Sequence, residues 1–138
     1  MKLKYPLLIT VLTLLATVAS AGLKQPTPVE VDLANMFAIG DQVTARIAPN
    51  DLDFIGCGFR VFDIPFSFGF CQATDSEENA ILCITENADL IDAIKATSAY
   101  AFITFSWKDD GFGGSECIRV GSSTQSFYLP NFTTKGKK

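Results

Sequence analysis

The sequence contains no histidine among its 138 residues. Histidine is the side chain that most often changes its charge near neutral pH, and it is also the commonest metal ligand in proteins. Its absence excludes Ser/His/Asp and Cys/His catalytic arrangements, and it leaves paired carboxylates as the acid and base of any enzyme. We therefore expect no metal site and no cofactor, and the sequence weighs against catalysis without deciding the question.

Basic residues are also few. Lysine and arginine total 11 against 15 aspartate and glutamate residues, which gives a formal net charge of −4. Proteins that bind nucleic acid carry clustered basic side chains, because these release counterions from the phosphates. Here the arginines are isolated from one another, and the basic cluster at residues 135–138 is expected to be a solvated tail. We therefore expect no nucleic-acid partner.

Long apolar runs are absent except near the first residue. Lys2 and Lys4 precede an uncharged run from Tyr5 to Val18, and the small residues Ala19-Ser20-Ala21 follow it. This order is typical of a bacterial signal peptide, in which the small residues fit the peptidase cleft. The run is shorter than the roughly 18 to 20 apolar residues that a membrane span needs. We predict cleavage after Ala21, which leaves no membrane span.

Residues 22–138 are then expected to form one small exported domain, either secreted or periplasmic. Its first part, residues 22–41, contains two prolines and lacks a firm period, so we expect it to be loosely held. Two alternatives stay open within it, a strand near Val29–Leu33 or a short helical turn near Ala34–Ala38.

Cysteines are few but even in number: Cys57, Cys71, Cys83 and Cys117. An even count in an exported chain predicts two disulfides, for which three pairings are possible. No Cys-x-x-Cys pair is present, which weighs against a zinc or redox site. A hairpin folded about Glu77 would place Cys71 opposite Cys83, which favours that pair and leaves Cys57 for Cys117, although the other pairings stay open.

Short extended segments dominate the remaining pattern. The segment 88–96 has helical spacing, and Asn87 before it is a good N-cap. The fold class we expect is mainly β, bordering on α+β: an antiparallel sheet or small sandwich with one short helix near 88–96 and two disulfides. The alternating or extended runs predict strands at Val43–Ile47, Phe54–Phe62, Phe66–Ala73, Ala80–Thr85, Tyr100–Trp107, Glu116–Val120 and Ser126–Leu129.

Phenylalanine is abundant, with 12 residues. In the segment 66–73 the period of two separates large from small residues. Because phenylalanine carries no polar atom, we expect the large face to lie in the core and the small face to admit another element at close range. The large face holds Phe66, Phe68 and Phe70, and the small face holds Ser67, Gly69, Cys71 and Ala73.

Tyrosine and tryptophan are better suited to an exposed binding surface than phenylalanine, because their polar atoms tolerate water. If the domain has such a surface, we predict that Tyr100, Trp107 and Tyr128 contribute to it. Phe112 is added because it stands between glycines in a polar loop, where it could act as an insertion residue.

Several acidic groups could supply an acid and a base, but each lies beside turn residues, where carboxylates ordinarily cap the backbone or face water. The loop 108–116 lacks the alternating spacing of a calcium loop, and no helix follows it to bind phosphate, so we interpret it as a hairpin loop. Asn131-Phe132-Thr133 fits a glycosylation acceptor and is interpreted as a chance match. The acidic groups are Asp51 with Asp53, Glu77 with Glu78, and Asp109 with Asp110 and Glu116.

Five short segments of the chain carry its cysteines and several of its aromatic residues: Ile55–Cys57, Phe70–Ala73, Cys83, Phe105–Gly111 and Cys117–Val120. Between Val43 and Pro130 the chain thereby resembles a group of short, uncharacterised exported proteins of Gram-negative bacteria, which share four cysteines, an Ile-Gly-Cys motif and an aromatic-x-Trp motif. Leu129 is an insertion relative to that pattern, and the loop before Cys117 is longer. The group carries no assigned activity, so the resemblance transfers none.

The sequence therefore favours a non-catalytic exported domain that binds a protein, a glycan or a component of the cell envelope. The alternative is a small secreted inhibitor or toxin-like effector that presents Phe112. A third hypothesis is a carboxylate-dependent hydrolase.

Overall fold

The computed structural model describes residues 22–130, so the predicted signal segment and Asn131-Phe132-Thr133 lie outside the described residues. Within this range seven strands form one sheet, accompanied by two α-helices and a final 3-10 turn at Ser126–Tyr128. The mainly β fold with two disulfides is confirmed. The elements are β1 (Glu30–Asp32), β2 (Phe37–Asp41), α1 (Gln42–Ile47), β3 (Phe54–Val61), β4 (Ser67–Thr74), β5 (Ala80–Thr85), α2 (Ala88–Ala96), β6 (Phe102–Asp109) and β7 (Ser115–Ser123).

The strand order across the sheet is β1-β2-β6-β7-β5-β4-β3. Neighbouring strands are antiparallel except β5 and β7, so the sheet is mainly antiparallel, as expected, with one parallel pair. The exception arises because α2 and β6 intervene in the chain, and β7 then returns beside β5 in the same direction. Only Ile84 and Glu116 are register partners in this parallel pair.

The two ends of the sheet approach each other, with β1 contacting β4 and β2 contacting β3. The inner face of this curl holds the core, in which Ile103, Phe105 and Trp107 of β6 are buried with Cys71, Cys83 and Cys117. The segment before Val43, expected to be loosely held, contains β1 and β2. Among the described residues, no helix has both the length and the apolar character to span a membrane.

Asp75 ties β1 to the turn between β4 and β5. Its carboxylate accepts hydrogen bonds from the backbone N–H groups of Val31 (3.2 Å), Glu77 (3.0 Å) and Asn79 (3.0 Å). The side-chain amide of Asn79 donates a further bond at 3.0 Å. Burial raises the pKa of Asp75, but these hydrogen bonds outweigh that effect and hold the pKa below its ordinary value.

We expect Asp75→Asn to destabilise the domain by about 1.5 to 3 kcal/mol at pH 7, because bonds to a charged acceptor are lost. The folded pKa is depressed, so the contribution is present above the unfolded pKa, near 3.9, and is lost as pH falls through the folded value. Urea unfolding of both proteins at neutral pH and at about pH 3 checks this. Two results would contradict it: a difference in unfolding free energy that is as large at about pH 3 as at neutral pH, or a loss of unfolding free energy from Glu77→Gln in the same turn that equals the loss from Asp75→Asn.

Helix α2 is confirmed at Ala88–Ala96, and the Asn87 Oδ1 atom accepts the N–H groups of Asp89 (3.0 Å) and Leu90 (3.1 Å). Its residue Ile94 packs against Gly69, where a Cβ atom would lie 2.6 Å from the Ile94 Cδ1 atom. The small face of β4 therefore admits a helix at close range, as predicted.

The expectation of a buried phenylalanine row is wrong. Because α2 covers the small face of β4, the period of two turns the large face outward, and Phe66 is exposed while Phe68 and Phe70 are only partly buried. The rings of Phe62, Phe66 and Phe68 lie 5.7 to 6.1 Å apart.

Two predicted strands are also wrong. The segment Val43–Ile47 belongs to helix α1, because Asp41 caps its first turn and the extended Ala48 before Pro49 ends it. The segment Ser126–Leu129 contains a 3-10 turn, in which the N–H of Leu129 bonds the carbonyl of Ser126 at 3.2 Å.

The favoured disulfide pairing is wrong as well. Cys71 lies opposite Cys83, as predicted, but it also lies opposite Cys57 on its other side. The bonds join Cys57 to Cys71 and Cys83 to Cys117, with Cα–Cα distances of 4.0 and 5.0 Å. β7 lies beside β5, which brings Cys117 within reach of Cys83.

Candidate functional site

A cleft of about 710 Å³ opens beside helix α1. The helix begins at Asp41, whose buried carboxylate accepts the N–H of Thr27 (2.6 Å) and both the N–H (2.7 Å) and the hydroxyl (2.6 Å) of Thr44. The bond from the Thr44 N–H satisfies one free N–H group of the first turn, and the bond from Thr27 fixes the preceding segment against the helix. Helix α1 therefore forms a firm wall of the cleft.

The second wall follows the helix. Here the Asn50 Oδ1 atom accepts the N–H groups of Leu52 (2.9 Å) and Asp53 (2.8 Å) and forms a compact turn. This turn leads into β3 and places Asp51, Asp53 and Phe54 at the cleft.

The third wall carries Tyr100, which has a φ of 64°. Non-glycine residues are rarely left-handed, and such strain persists only where the surroundings hold it. Here Gln42 holds the next residue, because its N–H donates to the Ala101 carbonyl (3.1 Å) and its side-chain Oε1 accepts the Ala101 N–H (3.1 Å). The strained tyrosine is thereby fixed next to α1.

The lining combines aromatic and polar side chains. Phe54 and Tyr100 are both nearly half exposed, and Arg46, Asn50 and Asp53 supply polar groups. A concave apolar surface with a few polar groups is the usual form of a small-ligand site.

Asp53 carries an unsatisfied atom at this site. Its Oδ1 is buried and has no hydrogen-bond partner among residues 22–130. A buried acceptor without a donor destabilises the fold, so native proteins nearly always satisfy it. Because Oδ1 has almost no accessible surface, a ligand in the cleft would satisfy it by a hydrogen bond only after the Asp53 side chain turns towards the cleft.

The four residues predicted for a binding surface are not brought together. Tyr100 lines the cleft, whereas Trp107 is only 5 % exposed and lies in the core, 6.0 Å from the ring of Phe105. Tyr128 is buried, and Phe112 at the β6–β7 turn is 97 % exposed. Tyr100 is therefore the predicted residue that contributes to this cleft.

The acidic groups that the sequence singled out also lie in different parts of the fold. Asp51 and Asp53 line the cleft together, whereas the pair Glu77 and Glu78 lies in the β4–β5 turn. Within the described part of the chain, no group of three or more cysteine, aspartate or glutamate residues is placed to hold a metal ion.

The segment 108–116 forms the β6–β7 hairpin, as the sequence predicts, with the turn itself at residues 110–114. The Asp110 carboxylate accepts the N–H groups of Phe112 (2.8 Å) and Gly114 (2.9 Å), which lowers its pKa. Glu116 forms an ion pair with Lys108 at 2.8 Å across the hairpin. The carboxylates of Asp110 and Glu116 therefore stabilise the hairpin.

Sequence reasoning missed Arg46, Asn50 and Phe54 as site residues. The interpretation of residues 43–47 as a strand removed the helix that organises the cleft. The available signal was the cap, Asp41 three residues before Thr44, which is typical of a helix N-terminus.

Comparisons of the chain with protein-family models, with curated proteins and with solved structures found no match.

Proposed function

We propose that the protein is exported and acts as a non-catalytic binding domain whose ligand is a glycan of the cell envelope. The observation that carries this proposal is the cleft beside α1, which is lined by two nearly half-exposed aromatic residues, Phe54 and Tyr100, and by Asp53, whose Oδ1 has no hydrogen-bond partner among residues 22–130. Export to the periplasm or the exterior is supported by the signal-like residues 1–21 and by two disulfides, which persist in oxidising compartments.

A glycan fits the chemistry of this lining. A sugar ring presents an apolar C–H face that can pack on Phe54 or Tyr100, and it presents hydroxyl donors for Asp53. Arg46 and Asn50 add donors and acceptors at the same cleft. A protein partner would be expected to cover a broad surface, whereas the site here is a cleft with a volume of about 710 Å³.

The titratable side chains of the cleft favour binding without catalysis. Glycoside hydrolysis requires two carboxyl groups, one of them kept protonated by apolar surroundings. Asp51 shares the cleft with Asp53, but it is exposed to water. The chain has no histidine to take the acid role instead.

We expect the oxidised domain to bind members of a glycan array that contains peptidoglycan fragments and envelope oligosaccharides. For the tightest of these, Asp53→Asn should raise the Kd about 10-fold to 100-fold, because the ligand loses a bond to a charged acceptor. Tyr100→Phe keeps the ring and should have a smaller effect. Isothermal titration calorimetry measures each Kd.

Asp63→Asn is the matched control, since it makes the same charge change in the exposed β3–β4 turn, outside the residues that line the cleft. The proposal fails if no glycan binds at millimolar concentration, or if Asp63→Asn weakens binding as much as Asp53→Asn.

A carboxylate-dependent hydrolase is a second candidate, because Asp51 and Asp53 line one cleft. Release of shortened products from a bound glycan, abolished by either Asp51→Asn or Asp53→Asn, would replace the binding proposal with this one.

The inhibitor hypothesis is favoured by the β6–β7 turn. Phe112 stands between Gly111 and Gly113, which have φ values of 81° and 88°, and Asp110 holds the turn with two hydrogen bonds. Inhibition of a protease or lysozyme that is lost in Phe112→Ala would establish this role.

A further inference from the structure

The second half of β3 is an open edge of the sheet. β3 stands last in the strand order, and although Ile55 near its start is buried, Phe59 is 42 % and Val61 is 65 % exposed. An open edge presents unpaired N–H and C=O groups that can pair with another strand. Natural proteins usually protect such an edge with charge or proline, and here Arg60 is the one charged residue between Gly58 and Val61.

The residues whose backbone groups face the open side can be identified from the ladder. The N–H of Phe62 donates to the Phe66 carbonyl at 3.2 Å, which extends the β3–β4 pairing into the turn. In an antiparallel pair, alternate residues direct their backbone groups to the partner strand. The backbone groups of the even-numbered residues of β3 therefore form hydrogen bonds with β4. The backbone N–H and C=O groups of Cys57, Phe59 and Val61 point away from β4, towards the open side.

The Arg60 side chain agrees with this assignment. Its Nη1 donates to the Phe59 carbonyl at 2.9 Å, so that carbonyl has a side-chain donor and no strand partner. The Arg60 guanidinium also lies 5.0 Å from the centre of the Phe70 ring on the outer face of the sheet.

Apolar side chains surround this edge. Val61, Phe62, Ile64 and Phe66 are all exposed, and the rings of Phe62 and Phe66 stack 5.7 Å apart. Clustered exposed apolar side chains mark an interaction surface. A lipid surface would cover the side chains, but hydrocarbon offers no partners to the open backbone groups. Another strand satisfies the side chains and the backbone together.

We propose that two copies of this chain pair through β3, antiparallel and about a two-fold axis, with Phe59 facing Phe59 of the second copy. Residues with outward backbone groups then pair with each other, as a hydrogen-bonded ladder requires. In this register Arg60 lies opposite Gly58 of the second copy. The Phe70 ring covers that glycine, since a Cβ atom there would lie 2.7 Å from the Phe70 Cζ atom, so Arg60 meets an aromatic ring across the axis as it does at 5.0 Å in its own chain.

The neighbouring registers are less favourable. A shift that places Phe59 opposite Val61 also places Arg60 opposite Arg60, and like charges directly across a ladder are destabilising. A shift the other way places Val61 opposite Ile55, which is buried in its own domain. The charge and burial pattern therefore selects the register centred on Phe59. The residues that pair in this register, 57–61, lie outside the lining of the glycan cleft, although Phe54 and Ile55 at the start of the same strand line it. Dimerisation and glycan binding are separate measurements, so each proposal can fail without the other.

Charge exchange at the axis tests this register. Sedimentation of the oxidised wild-type protein from about 1 µM to about 1 mM should show a monomer–dimer equilibrium. Lys95 of the same chain lies 5.9 Å from the centre of the Phe59 ring. Phe59→Lys therefore adds like charge at the axis and removes an aromatic pair, and it should raise the dimer Kd at least about tenfold. Phe59→Glu also removes the aromatic pair, but its charge lies beside Lys95, so its Kd should rise by less. An equimolar mixture of the two variants should regain dimer, because the axis then carries opposite charges.

Ile64→Lys and Ile64→Glu are the matched controls. Ile64 is 61 % exposed, close to the value for Val61, but it lies in the turn beyond the paired edge. These variants should leave the dimer Kd unchanged, and circular dichroism should show that all four variants fold. A wild-type monomer at every concentration overturns the proposal, and so do equal effects at positions 59 and 64 or a mixture that stays monomeric. Co-sedimentation of monomer with phosphatidylcholine–phosphatidylglycerol vesicles, lost in Ile64→Glu, would overturn the proposal and assign the patch to lipid.

Discussion

Replacing Cys83 and Cys117 together by alanine is expected to lower the midpoint of thermal unfolding by roughly 15 to 25 °C. The two residues are 34 apart in the chain, and closing a loop of that size stabilises a fold by about 3 to 4 kcal/mol in the chain-entropy account. Small domains have only about 5 to 15 kcal/mol of total stability, so much of it depends on this bond.

The position of the bond makes its loss costly. It joins β5 to β7, and this parallel pair has one register partner pair, Ile84 with Glu116. The bond therefore connects two halves of the sheet, β3-β4-β5 and β1-β2-β6-β7, where the backbone ladder is weakest. Cys57 and Cys71, by contrast, lie inside a hairpin that is already paired along eight residues of each strand.

The alanine replacement of Cys57 and Cys71 is accordingly the comparison variant, and its midpoint should fall by less. Circular dichroism melts under non-reducing conditions measure both variants. A larger loss from the Cys57/Cys71 variant would contradict the assignment of the Cys83–Cys117 bond as the connection between the halves.

Gly69→Val is expected to cost about 2 to 3 kcal/mol of unfolding free energy through overpacking. A Cβ atom at this position would lie 2.6 Å from the Ile94 Cδ1 atom and 3.3 Å from the Ile91 Cγ1 atom. Valine is otherwise favourable in a strand, so a loss must come from the approach of α2. Urea unfolding gives the size of the effect.

Gly56→Val is the matched control, because a Cβ atom there meets nothing within 4 Å and the residue lies on the neighbouring strand. It should cost less than about 0.5 kcal/mol. Adding Ile94→Ala to Gly69→Val should recover part of the loss, which a double-mutant cycle separates from the cost of Ile94→Ala alone. Equal losses at positions 56 and 69 would refute the packing argument.

The sequence predicted the elements whose signals are local. The cap at Asn87 and the period of two after Phe66 depend on neighbouring residues alone, and both α2 and β4 form accordingly. Helix α1 escaped prediction because Val43, Ala45 and Ile47 alternate in a segment of only six residues, too short for a helical period to emerge. The orientation of β4 was also predicted wrongly. Hydrophobicity suggested that the phenylalanines face inward, but α2 needs space against the sheet, and only the small face of β4 provides it.

The candidate site was harder to predict because it joins segments that are distant in the chain. Arg46 and Asp53 lie on either side of a turn, and Tyr100 reaches them through the pairing of Gln42 with Ala101. No local pattern encodes this pairing. The disulfides show the same limit, because Cys71 has two opposite neighbours and the strand order across the sheet decides between them.

The most direct test of the central claim is a nitrogen–proton NMR titration of the oxidised domain with the tightest oligosaccharide from the glycan array. The proposed function predicts that amide shifts concentrate at Arg46, Asp53, Phe54 and Tyr100, with no chemical change in the sugar. Shifts concentrated at the Phe112 turn or at the β3 edge, with the α1 cleft unaffected, would contradict the assignment of this cleft as the binding site.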